Sequence, residues 1–223
     1  MGGADNNKLQ RMYEEHHARR KKFGTSFEEE RRGCLFKAWI GTGKEVLDLG
    51  CRDGTLTRHY AEGNHVTGMD IDGNALEKAR EELGIRTMQS DIGQPLPFPD
   101  GSFDVVVMAE ILEHLPYPRL ILPEAMRVLK GDGLFIGSVP IYFHMKNRIR
   151  ILLGKRIGYD PTHCQYFSIS SLEELLGRYL SVEELVALKG ERWARFSMAF
   201  ARNVAFKCRK PSGGVDRTQA VSG

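Results

Sequence analysis

Three aspartates, Asp48, Asp70 and Asp91, each stand at the end of an apolar or mixed run, and Glu110 breaks off the apolar run VVVMA. Carboxylates at strand ends accept hydrogen bonds from the hydroxyls and amines of a ligand, or they cap the helix that follows. Asp91, in DIGQP, has the further option of opening a turn. Burying a carboxylate without a partner is costly, so Glu110 points to a functional position. Two histidines, His114 and His163, are candidates for moving a proton near neutral pH. His163, in DPTHCQYF, is the expected general base if a hydroxyl is to be activated, and His114 is divided between that role and packing. His144 and Tyr142 are further candidates, whereas His16 and His17 lie in a charged, solvated stretch. No HxH, HxxxH or His-carboxylate triad occurs at ligand spacing, so no metal site is expected.

Between Asp48 and Asp70 lies GCRDGT, a glycine turn that would bring backbone up to a ligand, with Arg52 in its middle. A phosphate loop needs GxxxxGK followed by Ser or Thr, and Lys44 precedes the strand instead. A dinucleotide fingerprint would put glycines at positions 50, 52 and 55, which here hold Gly50, Arg52 and Thr55. An arginine obstructs the close approach of a pyrophosphate, so NAD and FAD are not expected. A second region, Ile141 to Phe167, holds Lys146, Arg148, Arg150, Lys155 and Arg156 against a single acid, Asp160. It reads in two ways. One is an amphipathic helix with Ile149, Ile151, Leu152 and Leu153 packed on the core. The other is a site for an anionic acceptor, a phosphorylated or carboxylated sugar or a lipid-linked glycan, in which Tyr142, Arg148, Arg150 and His163 bind substrate through forked hydrogen bonds and polar contacts. Arg19, Arg20, Lys21 and Lys22 would add to it if the N-terminal helix folds over the mouth.

These residues need a scaffold, and the chain alternates in the manner of βαβ units. Strands are predicted over Glu45–Leu49, His65–Asp70, Arg86–Gln89, Val105–Ala109 and Leu134–Val139, and helices near Thr55–Ala61, Asn74–Leu83 and Pro118–Leu129, with LKGDG as a turn. Runs apolar on both faces suit the centre of a mainly parallel sheet. Helices over residues 7–22 and Ser26–Ile40 precede the first strand. Ser171 and Glu174 signal a capping-box start for the helix LEELLGRYL, and strands over Ser181–Leu188 and Asn203–Cys208 follow. The 223 residues, 41% hydrophobic and 27% charged, suit one domain over residues 1–210, with N-terminal helices in 7–40, a core in 41–140, an insert in 141–167 and C-terminal elements in 168–210. Residues 211–223 have the composition of a disordered tail. A net charge of +3 implies no whole-surface attraction to nucleic acid or membrane. Cys34, Cys51, Cys164 and Cys208 form no CxxC pair, which suits a reducing, cytoplasmic setting, and no signal peptide or membrane span is read.

The chain resembles the class I S-adenosylmethionine (SAM)-dependent methyltransferases, on Asp48, Gly50 and Gly54 in EVLDLGCRDG, Asp70 in HVTGMDID, Asp91 in QSDIGQPLPFPDGSFDVVVMAEILEHL, and the turn and strand LKGDGLFIGSVP. The resemblance implies an α/β fold: a Rossmann-like, doubly wound, seven-stranded, mostly parallel sheet with an antiparallel last strand and helices on both faces. It implies SAM as cofactor, bound by Asp48, Gly50, Cys51, Arg52, Gly54, Asp70, Ile71, Asp91, Ile92 and Glu110, with Tyr13 covering it. Asp70 would hold the ribose, Asp91 the adenine amino group with Ile92 beside the ring, and Glu110 and His114 would face the reactive end. Arg52 departs from the family pattern. The insert is similar to the MetW-like and polysaccharide-associated methyltransferases of this type 11 group. The expected activity is methyl transfer to a small-molecule or glycan acceptor. The alternatives are a SAM-binding module that works with a partner protein and an RNA methyltransferase. The RNA reading is disfavoured by AEIL in place of an NPPY-like tetrad and by the absence of an appended RNA-binding domain.

Overall fold

A computed structural model describes residues 24, 26–158, 160–188 and 198–211. Tyr13, the helix expected over 7–22 with its histidines and basic cluster, and the tail beyond Pro211 lie outside the described residues. The chain forms two compact units, one up to Pro97 and one from Phe98.

The first unit opens with α1 (Glu29–Ile40) and continues through β1 (Glu45–Leu49), α2 (Arg58–Ala61), β2 (His65–Asp70), α3 (Gly73–Leu83) and β3 (Arg86–Gln89). Its strands are parallel in the order β3-β2-β1, with Glu45 beside His65, Leu49 beside Met69 and Thr67 beside Arg86. Val46, Leu47, Asp48 and Leu49 are buried on successive positions, as in a strand covered on both faces. Asp72 caps α3, accepting from the amides of Asn74 and Ala75, and Gly84 ends the helix in the left-handed conformation. Gly33 of α1 lies against the His59 ring of α2, close enough that a Cβ there would come within 2.3 Å of it.

The second unit holds β4 (Phe103–Ala109), a 3-10 turn (Leu112–His114), α4 (Pro118–Val128), β5 (Leu129–Pro140), α5 (Met145–Leu152), α6 (Ile169–Gly177), β6 (Ser181–Ala187), a second 3-10 turn (Met198–Phe200) and β7 (Asn203–Arg209). β4 and β5 are parallel, and β7 runs antiparallel to both β5 and β6, in the order β4-β5-β7-β6. The seven strands are those of the Rossmann-like α/β fold expected from the sequence, mostly parallel with an antiparallel last strand.

Three local expectations change. The stretch LKGDG continues as part of β5, with Leu129 beside Phe103 and a left-handed Asp132, φ 60°. The capping box of α6 is one turn earlier than expected: Ser168 accepts from the Ser171 amide and the Ser171 hydroxyl accepts from the Ser168 amide. The third change is in the insert. It does contain a helix, α5, but Ile149, Ile151, Leu152 and Leu153 are exposed and do not pack on a core.

Candidate functional site

The turn after β1 is built by hydrogen bonds that fix its backbone. Gly50 has φ 81°, a value that only glycine adopts without strain, and its amide donates to the Met69 carbonyl at 2.7 Å. Arg52 is also left-handed, φ 51°, and its amide donates to Asp70 Oδ2 at 2.9 Å while the Asp72 amide donates to Asp70 Oδ1 at 2.9 Å. The end of β2 therefore organises the turn after β1. A carboxylate accepts about four hydrogen bonds, so holding these two amides is compatible with accepting ribose hydroxyls. Gly54, φ 74°, packs closely on α3: a Cβ there would meet Leu83 and Ala79 at 2.5 and 3.3 Å.

Asp48 is buried, and its Oδ2 accepts from Thr57 Oγ1 and Tyr60 Oη, both at 2.6 Å. Burial pushes its carboxyl from 3.8 up to about 6, against the lowering effect of those two hydroxyls and with a smaller rise from the charge of Asp70. Asp48 thereby ties the end of β1 to α2, behind the turn that follows the strand. Asp53, to which no role was expected, accepts from the Gly24 amide at 2.8 Å and from Thr55, bringing the chain before α1 onto this turn. The signal for it was local, an acid two residues before a threonine. Thr57 and Tyr60 had no such signal, because their use depends on how α2 packs. Asp91 does open a turn, accepting from the Gly93 amide at 2.8 Å, with Ile92 inside that turn. Ile71 offers its carbonyl to Gln89 Nε2, and Cys51 is buried, which pushes its thiol up. An acceptor-rich loop of carboxylates and turn backbone suits the hydroxyls and ammonium of SAM better than a phosphate.

In the second unit Glu110 is left-handed, φ 59°, and its carboxylate accepts from Ser138 Oγ at 2.8 Å and from Asn203 Nδ2 at 3.0 Å. The partners whose lack would have been costly are supplied by β5 and β7. His114 and His163 meet edge to face, with ring centroids 4.8 Å apart. His114 Nδ1 donates to the Thr162 carbonyl at 3.0 Å, which sets the tautomer in which Nε2 carries the lone pair. Burial lowers its basicity from the usual 6.5 against the effect of that hydrogen bond, and His163 adds to the lowering. Glu113, buried beside them, binds the amides of Cys164 and Gln165 through its carbonyl. Donor atoms of Glu113, His114 and His163 lie within 4.8 Å of one another, as do those of Glu29, Glu30 and His59. Spacing along the chain could not disclose either grouping. Tyr142 Oη donates to the Gly158 carbonyl at 2.6 Å, Arg148 Nε to Phe143 at 2.7 Å and Arg150 Nη2 to Arg156 at 2.7 Å, so all three also shape the insert.

A family model described as a methyltransferase domain matches residues 47–137. A demethylmenaquinone methyltransferase of Tropheryma whipplei is 30% identical over 189 residues, covering 75% of each chain. A ubiquinone biosynthesis O-methyltransferase of Nitrosococcus oceani is 35% identical over 48% of this chain and 45% of its own. A "probable S-adenosylmethionine-dependent methyltransferase" of Mycobacterium tuberculosis is 32% identical over 60% of this chain and 47% of its own. The chain thus spans about half the length of several curated relatives that it matches. Among solved structures, the N-methyltransferase NodS of Bradyrhizobium japonicum in complex with S-adenosyl-L-homocysteine superposes with a TM-score of 0.62 at 20% identity, over 86% of this chain and 91% of that one. The [4+2]-cyclase SpnF superposes with a TM-score of 0.64 at 19% identity, over 82% of each chain. At that identity the likeness is one of fold, and the cyclase shows that the fold alone does not set the reaction.

Proposed function

The chain belongs to the class I SAM-dependent methyltransferases, and from that membership we propose that it transfers a methyl group from SAM to a hydroxyl of a small-molecule or glycan acceptor. The observation that carries the choice of a hydroxyl is the histidine pair: His114, held as the Nδ1–H tautomer by Thr162, against the ring of His163. Bound SAM supplies an electrophilic methyl and leaves as a neutral thioether. The enzyme's part is mainly alignment, and a base is needed only when the nucleophile holds its proton tightly, as a hydroxyl does. The first unit would hold the cofactor through Gly50, Arg52, Asp70 and the Asp91 turn, with Asp48 supporting the loop. The second would supply the base. The Nitrosococcus relative is named an O-methyltransferase, which supports the same chemistry. The exposed guanidiniums of Arg148 and Arg150 suit an acceptor with an anionic group.

Labelled SAM offered to sugar nucleotides, lipid-linked glycans, quinols and RNA tests the reading. A labelled hydroxyl on one of the first three is expected, and label on RNA alone would replace it. Transfer to none of them, with SAM bound, would favour a partner-dependent module. His114→Ala and His163→Ala should each lower kcat by about a hundredfold or more with unchanged SAM affinity, while Asp70→Ala should weaken SAM binding by about tenfold or more, a loss equivalent to about 1.4 kcal/mol. Since His114 is held below 6.5, the rate should stay flat through neutral pH and fall only on the acid side of 6.5.

A further inference from the structure

Helix α5, Met145–Leu152, has no buried residue. Met145, Ile149, Leu152 and Leu153 follow the spacing i, i+4, i+7, i+8, which places them in one stripe along a helix. Ile149, Leu152 and Leu153 are 49%, 85% and 63% exposed. At 3.6 residues per turn Lys146 and Arg148 fall on either side of that stripe. Beyond the left-handed Gly154, Lys155 and Arg156 are exposed as well. Residues 141–158 thus carry five cations and no acid, more positive charge than the net +3 of the whole chain. The insert is already shaped for use: Arg148 and Arg150 tie back to the carbonyls of Phe143 and Arg156, and Tyr142 to Gly158.

An aliphatic stripe in water flanked by lysine and arginine is the composition of a helix that lies in a membrane interface. Its apolar face enters below the headgroups while the basic side chains reach out to anionic ones. Nucleic acid would use the cations through its phosphates but would leave the leucines in water. An anionic bilayer accounts for both. We propose that α5 and the loop to Gly158 dock this protein on the surface of an anionic lipid bilayer, with the stripe Met145, Ile149, Leu152 and Leu153 lying flat in the interface. The proposal adds a location to the transfer reaction and does not depend on which acceptor is methylated.

The full chain, sedimented with vesicles of phosphatidylcholine alone or with about a third phosphatidylglycerol, should partition about tenfold or more in favour of the anionic vesicles. About 0.5 M salt should remove most of that preference. Leu152→Ser with Leu153→Ser, which keeps every charge, should lower partition on anionic vesicles by about tenfold or more. Lys155→Glu with Arg156→Glu should do the same while leaving the weak binding to neutral vesicles alone. Both variants should keep their SAM affinity and thermal midpoint, which separates lost docking from lost folding. Equal partition on the two vesicle types, or a leucine variant that binds like the parent, would overturn the proposal. So would retention on single-stranded RNA without vesicle binding. Failure of methyl transfer with vesicle binding intact would count against the acceptor reading and leave this one standing.

Discussion

Asp48 is a residue whose charged form the fold opposes. Its carboxyl titrates at about 6 when folded and at 3.8 when ordinary, so between those values the folded chain holds a proton that the unfolded chain has released. The stability this gives is fully present below 3.8 and is lost as pH rises through about 6, a swing of about 3 kcal/mol. Asp48→Asn, which imitates the neutral acid, should therefore gain on the parent as pH rises from about 4 to about 7 and level off beyond, by up to that amount. Urea unfolding of both proteins across the pH range measures it, and parallel profiles would mean that Asp48 titrates normally. The neighbouring Arg52 illustrates how a sequence departs from a pattern without losing the geometry. Its left-handed backbone is one that glycine holds at less cost, by about 1 kcal/mol, yet its amide still reaches Asp70. The strand ends at Asp48 and Asp70 and the turn at Gly50 were legible because strand ends and turns are written locally, whereas Gly54 was singled out only through the family resemblance. The hydroxyls on Asp48 and the partners of Glu110 were not, since they arrive from other elements.

Among the elements, β5 is closely confined at Gly137. A Cβ at Gly137 would lie 2.0 Å from the Met108 carbonyl oxygen on β4 and 2.6 Å from the Phe206 ring on β7. Backbone on one side cannot move without parting the β4–β5 ladder, so Gly137→Ala should destabilise by about 3 kcal/mol, read as a lower urea midpoint with an unchanged slope. Stability like the parent's would mean that the strands separate more easily than their register suggests. The strands and most helices followed from apolar periodicity, and apart from β5, which starts at Leu129 instead of Leu134, their ends fell within about three residues of those expected. The insert did not. An amphipathic pattern says that one face is apolar, and burial of that face was the natural inference; the pattern carries no information about whether the fold or something outside it supplies the cover. The same limit explains the α6 cap, where two serines three residues apart outcompeted the Ser171–Glu174 signal.

At the scale of the molecule the described residues divide into a first unit with the turn after β1 and a second with the histidine pair and the insert. S-adenosyl-L-homocysteine should slow amide hydrogen exchange in the first unit at Gly50–Asp53, Asp70–Asp72 and Asp91–Gly93. It should leave α5 unchanged. Peptide-level exchange by mass spectrometry decides it, and protection confined to the second unit would move the cofactor away from the turn after β1. Among the described residues no helix is long and apolar enough to cross a membrane; α5, with 8 residues, is long enough to lie in an interface and too short to span one.

The placement of β7 bears on the order in which the molecule can be made. It is the latest of the described strands, yet it lies between β5 and β6. Asn203 at its start supplies two of the hydrogen bonds on Glu110, 93 residues earlier. Both ladders on the far side of β5, β5–β7 and β7–β6, depend on this last strand. The second unit therefore cannot be completed until β7 has been synthesised.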